Sequence, residues 1–277
     1  MTGTGTTGTG STGGGNTGNV GRISRERRGH VALLGFDRAA KRNAFDVPMY
    51  EDLARAFGEA DADDDVRAVV VFAHGDHFTA GLDLAQFVGP FRDGGMPLPA
   101  GAIDPLGLVG RRIRKPVVSA IQGLCLTIGI ELLLATDLRV AAAGARFGQI
   151  EIKRGIYPVG GATIRLPREV GWGNAMRWLL TGDELGAEEA LRIGMIQEIA
   201  ETAVAARDRA IALAETIAAQ SPMGVRATLV SSRLAVDDEA EAARRLFPDL
   251  APLMTSDDAR EGLASFMERR AARFTGR

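Results

Sequence analysis

Four short runs, rich in apolar residues and broken off by charged or turn-forming ones, constrain the fold of this chain more than any other feature. They span residues 31–36 (VALLGF), 66–72 (VRAVVVF), 116–122 and 137–142. The second lies between an acidic DADDD stretch and HGD, and its β-branched composition reads as a buried strand. Between the strands the period changes. Met49, Leu53, Ala56 and Phe57 recur at helical spacing behind Pro48, which suits a first helical turn. Residues 129–136 read as a buried helix between the last two strands. After Gly160 no strand is expected, only helical stretches over 188–193, 202–220, 222–234 and 259–273. The expectation is an α/β core over residues 22–200 followed by a helical region over 201–277.

Nine of the 35 glycines fall in the first 21 residues, a segment without a charged side chain. Such a Gly/Thr tract buries too little apolar surface to offset its ordering entropy, so residues 1–21 are expected to be a disordered tail. It has neither the basic start nor the apolar centre of a secretory signal. Lys and Arg total 33 against 35 Asp and Glu, a net charge of -2, which argues against nucleic acid as the main partner. The longest uncharged apolar stretch, 116–130, is too short to span a bilayer. A single cysteine, Cys125, excludes an internal disulfide framework. The whole reads as a soluble cytoplasmic protein.

Several motifs are decoys. The tail holds two literal G-x-G-x-x-G strings, at 3–8 and 8–13, without the strand and helix that a dinucleotide site requires. His74 and His77 lack companions at metal-ligand spacing, so no metal site is expected. His30 reads as a solvated side chain. Ser119 follows a strand without the glycines of a nucleophile elbow.

Three segments carry more. The first, His77-Phe78-Thr79-Ala80-Gly81-Leu82-Asp83-Leu84, follows a strand and leads into a helix, so small residues there let the backbone approach a ligand. The second, residues 120–132, places Glu131 inside an apolar run. A carboxylate there has an ionic partner, a raised pKa or a cavity to face. The third, residues 146–162, carries Glu151 near Lys153 and Arg154, where a surface salt bridge is the plainest role, and ends in a Gly-Gly turn before a helix near Ala162. The Gly/Pro-rich stretch 89–110 reads as an irregular lid or binding loop.

In this order and spacing the segments resemble the crotonase (enoyl-CoA hydratase/isomerase) superfamily, with its F-x-A-G-x-D-[LI], [NQ]-G-x-x-x-x-G-x-E-L and F-G-x-x-E-x-x-x-G-[IL]-x-P patterns. The similarity runs from Val31 to the C-terminus. It implies a crotonase-like spiral of ββα units with a C-terminal helical trimerisation region, and a homotrimer or a dimer of trimers. The substrate implied is an acyl-CoA thioester, with no cofactor beyond the coenzyme A the substrate carries. The activity implied is hydration of a 2-enoyl-CoA. A double-bond isomerase, a thioester hydrolase and a non-catalytic acyl-CoA binder are the alternatives.

Carried over by position, the resemblance makes Glu131 and Glu151 the catalytic pair, with Glu151 donating a proton to C2 and Glu131 activating water. It makes the Ala80 and Ile128 N–H groups an oxyanion hole, reinforced at Ile128 by the helix dipole. Lys41, Asn43 and Ala44, with Gly81, Leu82, Asp83 and Leu84, fall on substrate-binding segments. Arg269, Arg270 and Arg273 fall near the coenzyme A phosphates. Phe87, Phe91, Met96 and Trp172 are candidate acyl contacts. Thr127, Ile128 and Ile130 stand where family hydratases carry glycines, and these β-branched side chains are expected to narrow the acyl pocket against straight-chain substrates.

Overall fold

The computed structural model describes residues 20–277. The expected tail and both G-x-G-x-x-G strings lie outside these, apart from Val20 and Gly21. Gly21 is buried, and its N–H donates to Asp46 Oδ2 at 2.8 Å.

The strands are β1 (Arg22–Arg28), β2 (Val31–Asp37), β3 (Ala68–Ala73), β4 (Val117–Ile121), β5 (Leu124–Leu126), β6 (Leu138–Ala142), β7 (Arg146–Gly148), β8 (Glu184–Gly186) and β9 (Glu198–Ala200). The helices of the core are α1 (Val47–Ala62), α2 (Leu84–Arg92), α3 (Ile128–Leu133), α4 (Ala162–Val170), α5 (Trp172–Thr181) and α6 (Ala187–Arg192). Those of the C-terminal region are α7 (Ala203–Ala218), α8 (Pro222–Asp237), α9 (Glu239–Met254) and α10 (Asp257–Glu268).

A six-stranded sheet runs β1-β2-β3-β4-β6-β9, antiparallel at β1–β2 and parallel elsewhere. On one face Val31, Leu33, Val70, Val118 and Val140 pack under Ala206, Ala210, Ile211 and Ala214 of α7. On the other, Leu34, Phe36, Val69 and Val71 share a core with Met49, Leu53 and Phe57 of α1. Parallel strands covered on both faces have no solvent side to alternate with, which is why their runs are apolar throughout. Asp46 caps α1 by accepting Met49 N–H at 2.9 Å. A three-stranded sheet, β5-β7-β8, stands beside the first and carries the site.

One expectation fails after Gly160, where β8 and β9 are strands; α9 is a further helix beyond the clearest stretches. The strands span three residues each, too short for a period. Pro248 and Pro252 lie inside α9 and disguise it. The last helix stops at Glu268, short of residue 273, because Arg269 turns left-handed (φ 54°). Of the expected loop 89–110, the first residues belong to α2, with Pro90 inside it. No helix among the described residues is long and apolar enough to cross a membrane.

Candidate active site

Asn43 organises the first segment. It is fully buried and in the left-handed region (φ 54°), and its Oδ1 accepts Arg38 N–H at 2.8 Å. Its Nδ2 donates to His74 O at 2.8 Å and His77 O at 2.7 Å. Thr79 Oγ1 in turn donates to Asn43 O at 2.7 Å. Asn43 is therefore a structural staple whose side chain is spent within the chain. Asp83 is likewise committed, to the buried Arg38 guanidinium at 3.2 Å. The side chains of Lys41 and Arg42 are exposed and Ala44 is half-buried. Leu82 packs on the core and Leu84 is exposed.

The expected donor Ala80 is corrected by the hydrogen bonding. Its N–H donates to Arg42 O at 2.9 Å and has nothing left for a ligand. Gly81 N–H donates to Thr79 Oγ1 at 3.0 Å. Leu82 N–H meets no acceptor among the described residues, and neither does Leu84 N–H at the start of α2. Ile128 N–H, in the first turn of α3, meets none either, as the geometry of a helix start dictates. The two stretches touch at the preceding residues. Gly81 (φ 107°) lies so close to Thr127 that a Cβ on it would collide with Thr127 Oγ1. Thr127 itself sits at φ 51°, ψ −114°, a conformation that disfavours a β-branched residue, and its hydroxyl makes no cap bond to α3.

α3 carries Glu131 in its first turn, 4% exposed. Its Oε1 accepts Gly160 N–H at 2.6 Å and Ala162 N–H at 3.3 Å. Among the described residues it has no ion-pair partner. Burial pushes its carboxyl up to about 7, against the lowering pull of those two N–H groups and of the Arg165 charge. Glu151 opens a 3-10 turn after β7 and is 9% exposed. The expected salt bridge is absent: Lys153 reaches Asp183 at 3.6 Å, and Arg154 donates to Lys153 O. Glu151 Oε2 is buried without a hydrogen-bond partner among the described residues. Burial pushes this carboxyl up to about 7 as well, opposed by a backbone N–H and helped by the charge of Glu131. Two buried carboxyl groups near neutrality, one of which raises the other's proton affinity, are the ingredients of acid–base work.

Beside them opens a cavity of about 1010 Å³, lined by Tyr50, the end of α2, residues 93–98, Asp104 to Val109, and 155–159. Neither glutamate lines it, but it adjoins both. Segment 155–159 bridges Glu151 to Gly160, which holds Glu131, and Tyr50 feels the charge of Glu131. Of the candidate acyl contacts, Phe91 and Met96 line this cavity, whereas Phe87 is fully buried in the core and Trp172 is 72% exposed elsewhere. The expected narrowing by β-branched residues does not occur, because Ile128 and Ile130 turn their side chains into the buried core. Arg270 is committed to Glu261 and Glu268.

Residues the motifs did not flag complete the surroundings. Asp104 Oδ1 accepts Tyr50 Oη–H at 2.7 Å and Leu106 N–H at 3.0 Å, and its Oδ2 accepts Leu108 N–H at 2.7 Å and Val109 N–H at 3.0 Å. Arg165 donates to Leu106 O at 2.7 Å and Gly107 O at 3.1 Å. The histidines are occupied locally: His74 bonds Ser24 Oγ at 2.7 Å, His30 bonds Asp65 O at 2.8 Å, and His77 Nδ1 accepts Leu124 N–H at 3.2 Å. Ser119 Oγ donates to Thr136 Oγ1 at 3.1 Å inside the core.

The enoyl-CoA hydratase/isomerase family model matches residues 26–277. A solved structure of a probable enoyl-CoA hydratase/isomerase from Mycobacterium abscessus is 48% identical, with a TM-score of 0.90 over 93% of this chain and 100% of that one. The enoyl-CoA hydratase EchA19 of Mycobacterium tuberculosis is 35% identical over 258 residues, 91% of this chain and 96% of its own length. The (E)-benzylidenesuccinyl-CoA hydratase of Thauera aromatica is 32% identical over 265 residues, 92% of this chain and 99% of its own. The match extends through both glutamates, the strand-end segment and the C-terminal helices, and the chain belongs to the enoyl-CoA hydratase/isomerase family.

Proposed function

We propose that this protein hydrates a 2-enoyl-CoA thioester, adding water across C2–C3 on one face. The observation that carries the reading is Glu151 Oε2, buried without a partner within electrostatic reach of a second buried glutamate, Glu131, whose Oε1 is pinned by Gly160 N–H. Near neutral pH such a pair holds one proton between its members. The two N–H bonds to Glu131 favour its anion, so Glu131 takes the proton of the attacking water while the water oxygen bonds C3. Glu151, with no donor to its Oε2, keeps the proton and delivers it to C2. The products are the 3-hydroxyacyl thioester and a pair with its proton exchanged. The thioester oxygen, where charge develops, is received by the free N–H groups of Leu82 and Ile128. Such preset donors are typically worth about 10²–10³ in rate each. The acyl group extends into the adjoining cavity, and Lys41, exposed beside Arg42 after β2, is the cation for the coenzyme A phosphates.

Loss of the conjugated enoyl-thioester absorbance on adding protein tests this. Glu151→Gln is expected to abolish it and Glu131→Gln to reduce it greatly; normal turnover in either variant removes that residue from the scheme. Mass spectrometry separates hydration from isomerisation, since only hydration adds one water.

A homotrimer, or a dimer of trimers, completes the proposal. Phe247, Met254, Leu263, Phe266 and Met267 of α9 and α10 are each at least 65% exposed, while those helices bury only Ala242, Asp258 and Ser265. Helices with so little buried on their own subunit need a partner to be stable. Sedimentation of the intact protein as a monomer would remove this element.

A further inference from the structure

We infer that the acyl group taken by this site is a large hydrocarbon without an anionic substituent. The inference rests on the thioester-binding reading and concerns the cavity beside the glutamates. Its volume, about 1010 Å³, is at the top of the range for sites that enclose a drug-sized ligand. A four-carbon enoyl group would leave most of its wall untouched. The wall is apolar: Phe91, Met96, Leu98, Leu108, Val109 and Ile156 contribute much of it.

Two of its polar groups, Asp104 and Tyr50, are not on offer. Asp104 spends both oxygens on Tyr50 Oη–H and on three N–H groups of the loop that follows, and Tyr50 Oη–H is spent in return. The remaining charged lining residue is Asp93, and no lysine, arginine or histidine is among the described residues that line the space. A carboxylated acyl group would meet two acidic side chains and no cation.

The wall is also built in advance. Asp104 winds residues 104–109 around its carboxylate, and Arg165 holds Leu106 O and Gly107 O from α4. A preformed apolar wall converts hydrocarbon contact into affinity without an ordering cost. Each buried CH₂ is worth about 0.8 kcal/mol, or about fourfold in affinity.

Calorimetry with saturated acyl-CoAs, which bind but are not hydrated, tests the cavity separately from the chemistry. Decanoyl-CoA is expected to bind at least about a hundredfold more tightly than butyryl-CoA, and glutaryl-CoA more weakly than butyryl-CoA. 3-Phenylpropanoyl-CoA distinguishes ring from chain, and whichever of the two gains more names the hydrocarbon. Leu108→Trp and, separately, Leu98→Trp fill the cavity from side chains that are partly exposed, and each is expected to collapse the decanoyl-to-butyryl ratio. Equal binding of butyryl- and decanoyl-CoA overturns the inference, as does glutaryl-CoA matching decanoyl-CoA. Should decanoyl-CoA bind tightly while no enoyl-CoA is hydrated, the hydratase reading fails and the cavity assignment stands.

Discussion

Gly160 N–H donates to Glu131 Oε1 at 2.6 Å, and the approach that makes this bond possible leaves no room for a side chain on residue 160. A Cβ there would lie 2.6 Å from Glu131 Cδ. The conformation of Gly160 is not left-handed, so the cost of substitution is steric and falls on the glutamate. Gly160→Ala is expected to push the carboxylate off its two donors and lower kcat by about 10²-fold, the usual effect of misplacing a reacting group by about 1 Å. Steady-state kinetics with an enoyl-CoA measures it; unchanged kcat would mean that Glu131 is not held where the reaction needs it.

Both glutamates bind protons more tightly in the folded protein, at about 7, than a free carboxyl at 4.5 does. Folding is therefore favoured below about pH 4.5, and this contribution is lost as pH rises through about 7. Glu151→Gln removes a buried charge that has no partner for Oε2. At pH 8 the variant is expected to be more stable than the parent by on the order of 2–3 kcal/mol, and at pH 5 by much less. Denaturant unfolding at the two pH values checks this, and a pH-independent difference between the proteins contradicts the origin of the shift.

Thr127 occupies φ 51°, ψ −114°, where a β-branched residue costs about 1–3 kcal/mol. Thr127→Gly releases that strain and gives back part of it as unfolded-state entropy. The expected result is a net gain of about 1 kcal/mol, or about 2–4 °C in Tm. A lower Tm would show that contact between the Thr127 side chain and Gly81 outweighs the strain.

The parts of this architecture legible in the sequence are those with enough residues to show a period. Four inner strands read as apolar runs because both sheet faces are covered, by α1 and by α7. β1 escaped notice because it is an edge strand rich in arginine, whose Arg25 reaches Asp52 and Glu59 of α1. The three-residue strands β5, β7, β8 and β9 exist only through pairing with distant segments, which no local pattern encodes. In the site, Glu131 stood out as a charge in an apolar run. Which N–H faces a ligand was not legible, because that depends on Arg42 O having taken Ala80 N–H from across a loop. Gly160 and Asp104 were equally silent, since what matters is the partner each meets.

Asp104 concentrates four hydrogen bonds on one buried carboxylate, 6% exposed. Three of them close the loop from residue 104 to 109, and the fourth ties that loop to Tyr50 on α1. Asp104→Ala leaves the buried Tyr50 hydroxyl without its acceptor and strands three loop N–H groups, each partly rescued by water at the cavity mouth. A stranded buried donor costs about 1–3 kcal/mol, so a loss of about 3 kcal/mol is expected overall. Glu131 and Glu151 sit on α3 and the 3-10 turn, apart from this loop. The defect should therefore appear as a raised KM for substrates that reach the cavity, with a smaller change in kcat. Asp104→Asn keeps one carbonyl acceptor and should fall between the two. Kinetics and thermal unfolding of both variants decide the matter: a fall in kcat at constant KM would place the loop's influence on the glutamates instead of on the acyl group.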